Sequence, residues 1–158
     1  MQINYRQNKL EIDDARIIFR NFSGRPDSYT REGDRSFSVV IPNIELYEEL
    51  VEAGWNVRKK EPRDEYDVPL MHLKVKVKYS DNGNGPGVYL RSGDSVTRLN
   101  EDTIGMLDQI IIESVDMNIR PYDWNRHGES GRTAYLESIN VIQKVDRFGA
   151  MYASEGLL

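Results

Sequence analysis

The hydrophobic and polar positions alternate most clearly over residues 71–79, MHLKVKVKY. Met71, Leu73, Val75, Val77 and Tyr79 point one way and His72, Lys74, Lys76 and Lys78 the other, the period of a half-buried strand. ARIIFRNF (15–22) and FSVVI (37–41) are shorter runs rich in β-branched and aromatic residues and predict two strands. Pro42 and Asn43 then start a helix, with Asn43 as N-cap. Ile44, Leu46, Tyr47, Leu50 and Val51 fall on one face and Gly54 stops it. WNVRKK (55–60) predicts another strand. DNGNGPG reads as a hairpin loop after residue 79, with VYLRS (88–92) as the return strand. Residues 100–108 are ambiguous between a short helix and a loop. Segments 110–124, interrupted at Pro121, and 132–145 flank the turn NRHGESG and predict a long hairpin.

This order of elements predicts a mainly β protein: an antiparallel OB-type barrel of five to seven strands with one internal α-helix. A β-sandwich is the alternative. With 158 residues one domain is expected, long enough to bury a core without staples. The expected organisation is an irregular N-terminal arm (1–12), an OB-fold-like nucleic-acid-binding domain (13–148) and a C-terminal tail (149–158) that frays or docks as a small helix.

Composition removes several chemistries. There is no cysteine, so disulfides, thiolate metal sites and cysteine nucleophiles are excluded. Two histidines, His72 and His127, leave little for a histidine-rich metal site, and His127 sits in a glycine-rich turn. Asp13, Asp14, Glu61, Asp64, Glu65 and Asp67 read as solvated charge in loops. No GxSxG, HExxH, Walker or GxGxxG motif is present, so neither an enzyme nor a cofactor is expected. No run approaches a membrane span, and the polar N-terminus lacks the apolar region of a secretory signal; a cytoplasmic protein without membrane contact is expected.

The net charge of −5 argues against a nucleic-acid partner unless the cations are concentrated on one surface. Three features could do that. Lys74, Lys76 and Lys78 project from one strand face at intervals of roughly 6.6–6.8 Å, a spacing that can track phosphates; equally, lysines on an edge strand protect against edge-to-edge pairing. The loop SGRPDSYTREGDRS carries Arg25, Arg31 and Arg35 beside Tyr29, with Arg20 and Phe22 on the strand before it; the alternative is a mobile loop with incidental arginines. Arg120, Tyr122 and Trp124 fall at period two, so an arginine lies among aromatics that could stack a base or close the core. Tyr89 and Arg91 on the 88–92 strand complete the candidate set. Phe19, Phe37, Tyr47 and Tyr135 are expected in the core. Aromatic rings in a positive groove hold single strands without reading sequence.

The run RIIFRNFSGRPDSYTREGDRSFSVVIPN, then GWNVR, LKVKVKY, DMNIRPYDW and GRTAYLESINVIQ, resembles the single-stranded DNA-binding proteins of tailed bacteriophages over about residues 10–148. The resemblance implies an OB-fold, no cofactor, and sequence-tolerant binding of single-stranded DNA that protects or organises it during phage replication or recombination in the host cytoplasm. RNA, a second copy of the chain, and replication or recombination proteins are further partners it admits. Many proteins of this class end in an acidic tail that recruits partners; the ending SEGLL has one glutamate and departs from that pattern. The competing reading is a structural or protein-interaction β module, a virion component or adaptor, without nucleic-acid binding.

Overall fold

The computed structural model describes residues 1–146 and 148. Among the described residues the elements are ten strands, one α-helix and one 3-10 helix. The strands are β1 (Gln2–Arg6), β2 (Lys9–Ala15), β3 (Ile17–Asn21), β4 (Arg35–Val40), β5 (Val57–Lys60), β6 (Leu70–Val77), β7 (Gly87–Ser92), β8 (Ser95–Leu99), β9 (Ile112–Arg126) and β10 (Glu129–Gln143). Helix α1 (Ile44–Glu52) lies between β4 and β5, and the 3-10 helix (Ile104–Asp108) between β8 and β9.

The strand path is β1-β2-β9-β10-β6-β4-β3. Its closure follows from the chain itself. β2 and β3 are separated by Arg16 alone, yet β2 pairs with β9 and β3 with β4. One bent strand therefore serves both ends of the path, and the sheet coils into an OB-type barrel of β2/β3, β4, β6, β10 and β9. Two register shifts bracket the bend, one between Ile12 and Ala15 and one between Ile18 and Asn21. At each, a residue takes a left-handed conformation: Asp14 at φ 52° and Phe19 at φ 54°. Such bulges are how a strand turns a barrel corner.

The architecture is the expected one, but four local expectations are corrected. Residues 1–12 are not an irregular arm: β1 and β2 form a hairpin through Gln7 and Asn8, both at positive φ, and Leu10 and Ile12 are fully buried. The sheet is mixed, because β10 runs parallel to β6 and to β7. DNGNGPG does not reverse the chain. It closes on itself through Ser80 N–H donating to the Asn84 carbonyl (2.7 Å), and β7 then continues along the same edge of β10 that β6 borders. The partner of β7 is β8, a strand the alternation did not reveal. Pro121 does not interrupt β9. It lies beyond Ile119, where β2 ceases to cover that strand, so the missing N–H falls on an open edge. The expected tail, residues 149–158, lies outside the described residues.

Asn43 caps α1 by accepting the Leu46 N–H (2.8 Å), and Gly54 follows the helix at φ 91°. The core is apolar and drawn from every strand of the ring, with Leu10, Ile12, Val39, Val75, Val115, Ile119 and Val141 fully buried. No helix among the described residues is long and apolar enough to cross a membrane.

Candidate nucleic-acid interface

The alternation of β6 is realised. Met71, Leu73, Val75 and Val77 are buried, while Lys74, Lys76 and Lys78 are exposed. The topology decides between the two readings of the lysine row. β6 pairs with β4 from His72 to Val77 on one side, and with β5 and then β10 on the other. It is an interior strand of the barrel, so there is no edge there for the lysines to protect. Among the described residues none of the three lysines is held in an ion pair.

Register then assembles a surface around the row. Ser36 stands opposite Lys76, Lys76 opposite Tyr135, and Tyr135 opposite Arg120, across β4, β6, β10 and β9. These four share one face of the sheet. Arg120 lies over the Tyr135 ring at 4.9 Å, and Tyr122 meets the same ring edge-on at 6.0 Å. Trp124 is opposite Gly131, and a Cβ there would stand 2.5 Å from the indole Cζ2, so the ring lies flat on the glycine. One stretch of groove is walled by Tyr29, Arg35, the three lysines, Tyr79 and Tyr135. Lys76 and Tyr135 also wall the next stretch with Tyr122, Trp124 and Arg126. Lys78 and Arg120 share a third beside the 80–86 loop. The lysine row, part of the arginine loop and the 120–124 platform thus converge.

The loop is positioned at its neck. The Gly33 N–H donates to the Gly24 carbonyl (2.9 Å), and a Cβ on Gly24 would stand 3.0 Å from Gly33 Cα. The buried Asp108 carboxylate accepts from the N–H of Phe22 (2.8 Å) and Ser23 (3.0 Å) and from Ser23 Oγ (2.7 Å). These bonds carry Tyr29, nearly fully exposed, to the groove wall.

Not every predicted residue arrives there. Phe22 is fully buried and stacks on Phe37 at 5.1 Å, so it cannot meet a base. Arg20 donates Nη1 to the carbonyls of Leu107 (2.7 Å) and Ile110 (2.9 Å), binding the 3-10 helix to β3. Arg25 is exposed with Nη2 3.9 Å from Asp108. Arg31 is exposed but lines none of these stretches. Tyr89 lies under Arg98 at 5.7 Å on the β7–β8 hairpin, with Arg91 exposed beside it, both off the groove. Two aromatics expected in the core are surface residues instead. Tyr135 is half-buried and central to the groove, and Phe19 is 64% exposed. The alternation of buried Ala134 and Leu136 already places Tyr135 on the opposite face.

The electrostatics agree with a cationic strip on an acidic protein. Glu45, Glu48, Glu49 and Glu52 of α1 and Glu61, Asp64, Glu65 and Asp67 of the following loop are exposed and line no part of the groove. Four acids do line it. Of these, Glu101 is 3.7 Å from Arg35 and Glu137 is 2.9 Å from Lys9, while Asp34 and Glu129 are in no ion pair among the described residues; beside the groove, Asp27 accepts the Tyr29 N–H. That backbone bond, with Lys74 a lesser contributor, holds the Asp27 carboxyl below its ordinary value. Burial raises the Tyr79 hydroxyl, whose ring lies under Arg35 at 5.5 Å. Burial, and then the Arg58 guanidinium, lower the His72 imidazole and favour its neutral form. Next to Trp124 in sequence, Asp123 is gripped by Arg132 with two bonds (2.7 and 3.2 Å), which depress its carboxyl. Among the described residues no group of His, Asp and Glu could hold a metal ion.

An OB-type barrel whose groove joins aromatic rings to lysines that, among the described residues, are in no ion pair has the architecture of a single-strand-binding class of protein. The chain belongs to the phage ssDNA-binding domain family, whose model matches residues 1–156. The single-stranded DNA-binding protein of bacteriophage Enc34, in a C-terminally truncated form, shares the fold at TM-score 0.54, with 12% identity over 87% of each chain. The same phage protein in complex with ssDNA matches at TM-score 0.53, with 12% identity over 89% of each chain. No curated protein matches the sequence.

Proposed function

We propose that single-stranded DNA lies along this groove, its phosphates on Lys74, Lys76, Lys78 and Arg120 and its bases on Tyr135, Tyr122 and Trp124. The observation that carries the reading is the register Ser36–Lys76–Tyr135–Arg120, which sets cations and an aromatic ring side by side on one sheet face. Family membership supplies the ligand class. Lysine ammonium groups and ring faces carry no base code, so binding is sequence-tolerant. The protein coats single strands in the infected bacterial cytoplasm, protecting or organising them for phage replication or recombination. The acidic far side limits indiscriminate attachment to other polyanions.

The test is a fluorescence titration with oligo-dT at several salt concentrations. Four phosphate contacts give a log–log slope of about −2.8, at about −0.7 per contact. A duplex of equal length, whose bases are hidden from the rings, binds more weakly. A flat salt response, or equal affinity for the duplex, contradicts the reading.

A further inference from the structure

Phe19 has no place in the groove described above, nor in the core. Its ring is 64% exposed and meets His72 edge-on, 5.5 Å away at 76°. Its backbone sits at φ 54°, a region that residues other than glycine, asparagine and aspartate seldom enter. The bulge between Ile18 and Asn21 needs that conformation, and a glycine would supply it without strain. A phenylalanine held there, with its ring in solvent, is unexplained by folding. Strained positions of this kind concentrate at binding sites.

The surroundings point to the same ligand as the main groove. Phe19, Arg58, His72 and Lys74 wall a cleft floored by Ser38, which is 3% exposed and lies 3.1 Å from His72 Nδ1. Lys74, Thr30 and Ser36 belong to this cleft and to the lysine groove alike. The two adjoin at these residues. Tyr135, Tyr122 and Trp124 stand on the β9–β10 side of the lysine row, and Phe19 stands on the β3 side.

We infer that Phe19 on its His72 support is a second nucleobase platform, so that a bound single strand stacks on aromatic rings on both sides of the lysine row, with Arg58 and Lys74 taking the intervening phosphates. This inference rests on the groove reading of the preceding subsection. It lengthens the footprint, and it assigns binding roles to Phe19, His72 and Arg58.

Phe19→Gly separates binding from folding. Glycine accepts the positive φ, so the variant keeps or raises its thermal midpoint by circular dichroism while losing the ring. Phe19→Leu keeps the apolar bulk and the backbone strain but has no ring face. Both are titrated with oligo-dT of increasing length beside the unaltered protein. The expected result is about a ten-fold loss of affinity for the longest oligonucleotides, within the range measured for stacking on one ring, and saturation at a shorter length. Wild-type affinity in a folded Phe19→Gly or in Phe19→Leu overturns the inference. Should Phe19→Gly fail to fold, Phe19→Leu decides alone. If replacing Lys74, Lys76 and Lys78 weakens binding and neither Phe19 variant does, only the second platform falls. If the lysine variant binds normally, the groove reading itself falls.

Discussion

Replacing Lys74, Lys76 and Lys78 together by glutamine lowers affinity for oligo-dT about 100-fold at about 0.1 M salt, because three contacts at a slope of about −0.7 each carry about two decades there. The log–log salt slope flattens by about 2 in the same variant. Replacement by glutamate goes further and abolishes measurable binding, since each position then repels the phosphate it attracted. The fold survives both changes. The lysines are exposed and, among the described residues, engage in no ion pair, so their removal breaks no packing and no charged partner is stranded. The glutamine variant matters because the glutamate variant also makes an already acidic protein more acidic and weakens attraction to DNA from a distance. A loss shared by both variants belongs to the row itself. Oligo-dT affinity with circular dichroism on the same samples checks this; an unchanged slope removes the row from the interface.

Tyr135→Ala has the second largest effect and a different signature. Stacking on one aromatic ring contributes about 1–3 kcal/mol per base, so affinity falls about ten- to a hundred-fold. The ring also supports Arg120 at 4.9 Å and Tyr122 at 6.0 Å, so its removal loosens both neighbours. The salt slope stays near its original value, because no phosphate contact is removed. Tyr135→Phe keeps the ring and retains nearly full affinity. Paired titrations of the two variants separate stacking from charge. A slope that flattens by about 0.7, the share of one phosphate contact, would assign Tyr135 to support of Arg120 instead.

Much of this arrangement was legible in the chain. The strict alternation of residues 71–79 placed three lysines on one face, and Asn43 and Gly54 marked the ends of α1. What stayed hidden depended on contacts distant in sequence. Whether the lysine strand was an edge or an interior strand is a property of β4, β5 and β10, none of which the 71–79 pattern contains. DNGNGPG has hairpin chemistry, but the available partner for β7 was β10, more than forty residues away. The exchange of Phe19 and Phe22 has a single cause. A regular strand from 15 to 22 puts Phe19 on an apolar face and leaves Phe22 among the cations. The bulge between Ile18 and Asn21 shifts the count by one, and a one-residue slip sends side chains to the other face. Phe22 therefore packs on Phe37 and Phe19 faces solvent. Tyr135 is a simpler case: its aromatic character alone favours the core, while the alternation with buried Ala134 and Leu136 sets it on the other face. The role of Arg20 is not legible in the sequence, since its partners are the carbonyls of Leu107, in the 3-10 helix, and of Ile110 just beyond it, some ninety residues further on.

The central claim is a location, and photo-crosslinking tests it most directly. An oligo-dT carrying 5-iododeoxyuridine is irradiated with the full-length protein and the modified residues are identified by mass spectrometry. The account predicts adducts at Tyr135, Tyr122, Trp124 and Tyr29, suppressed by competing unlabelled single strands and retained in the presence of duplex. Adducts confined to Tyr5, Tyr66 or Tyr89, which are exposed but line no part of the groove, would contradict it.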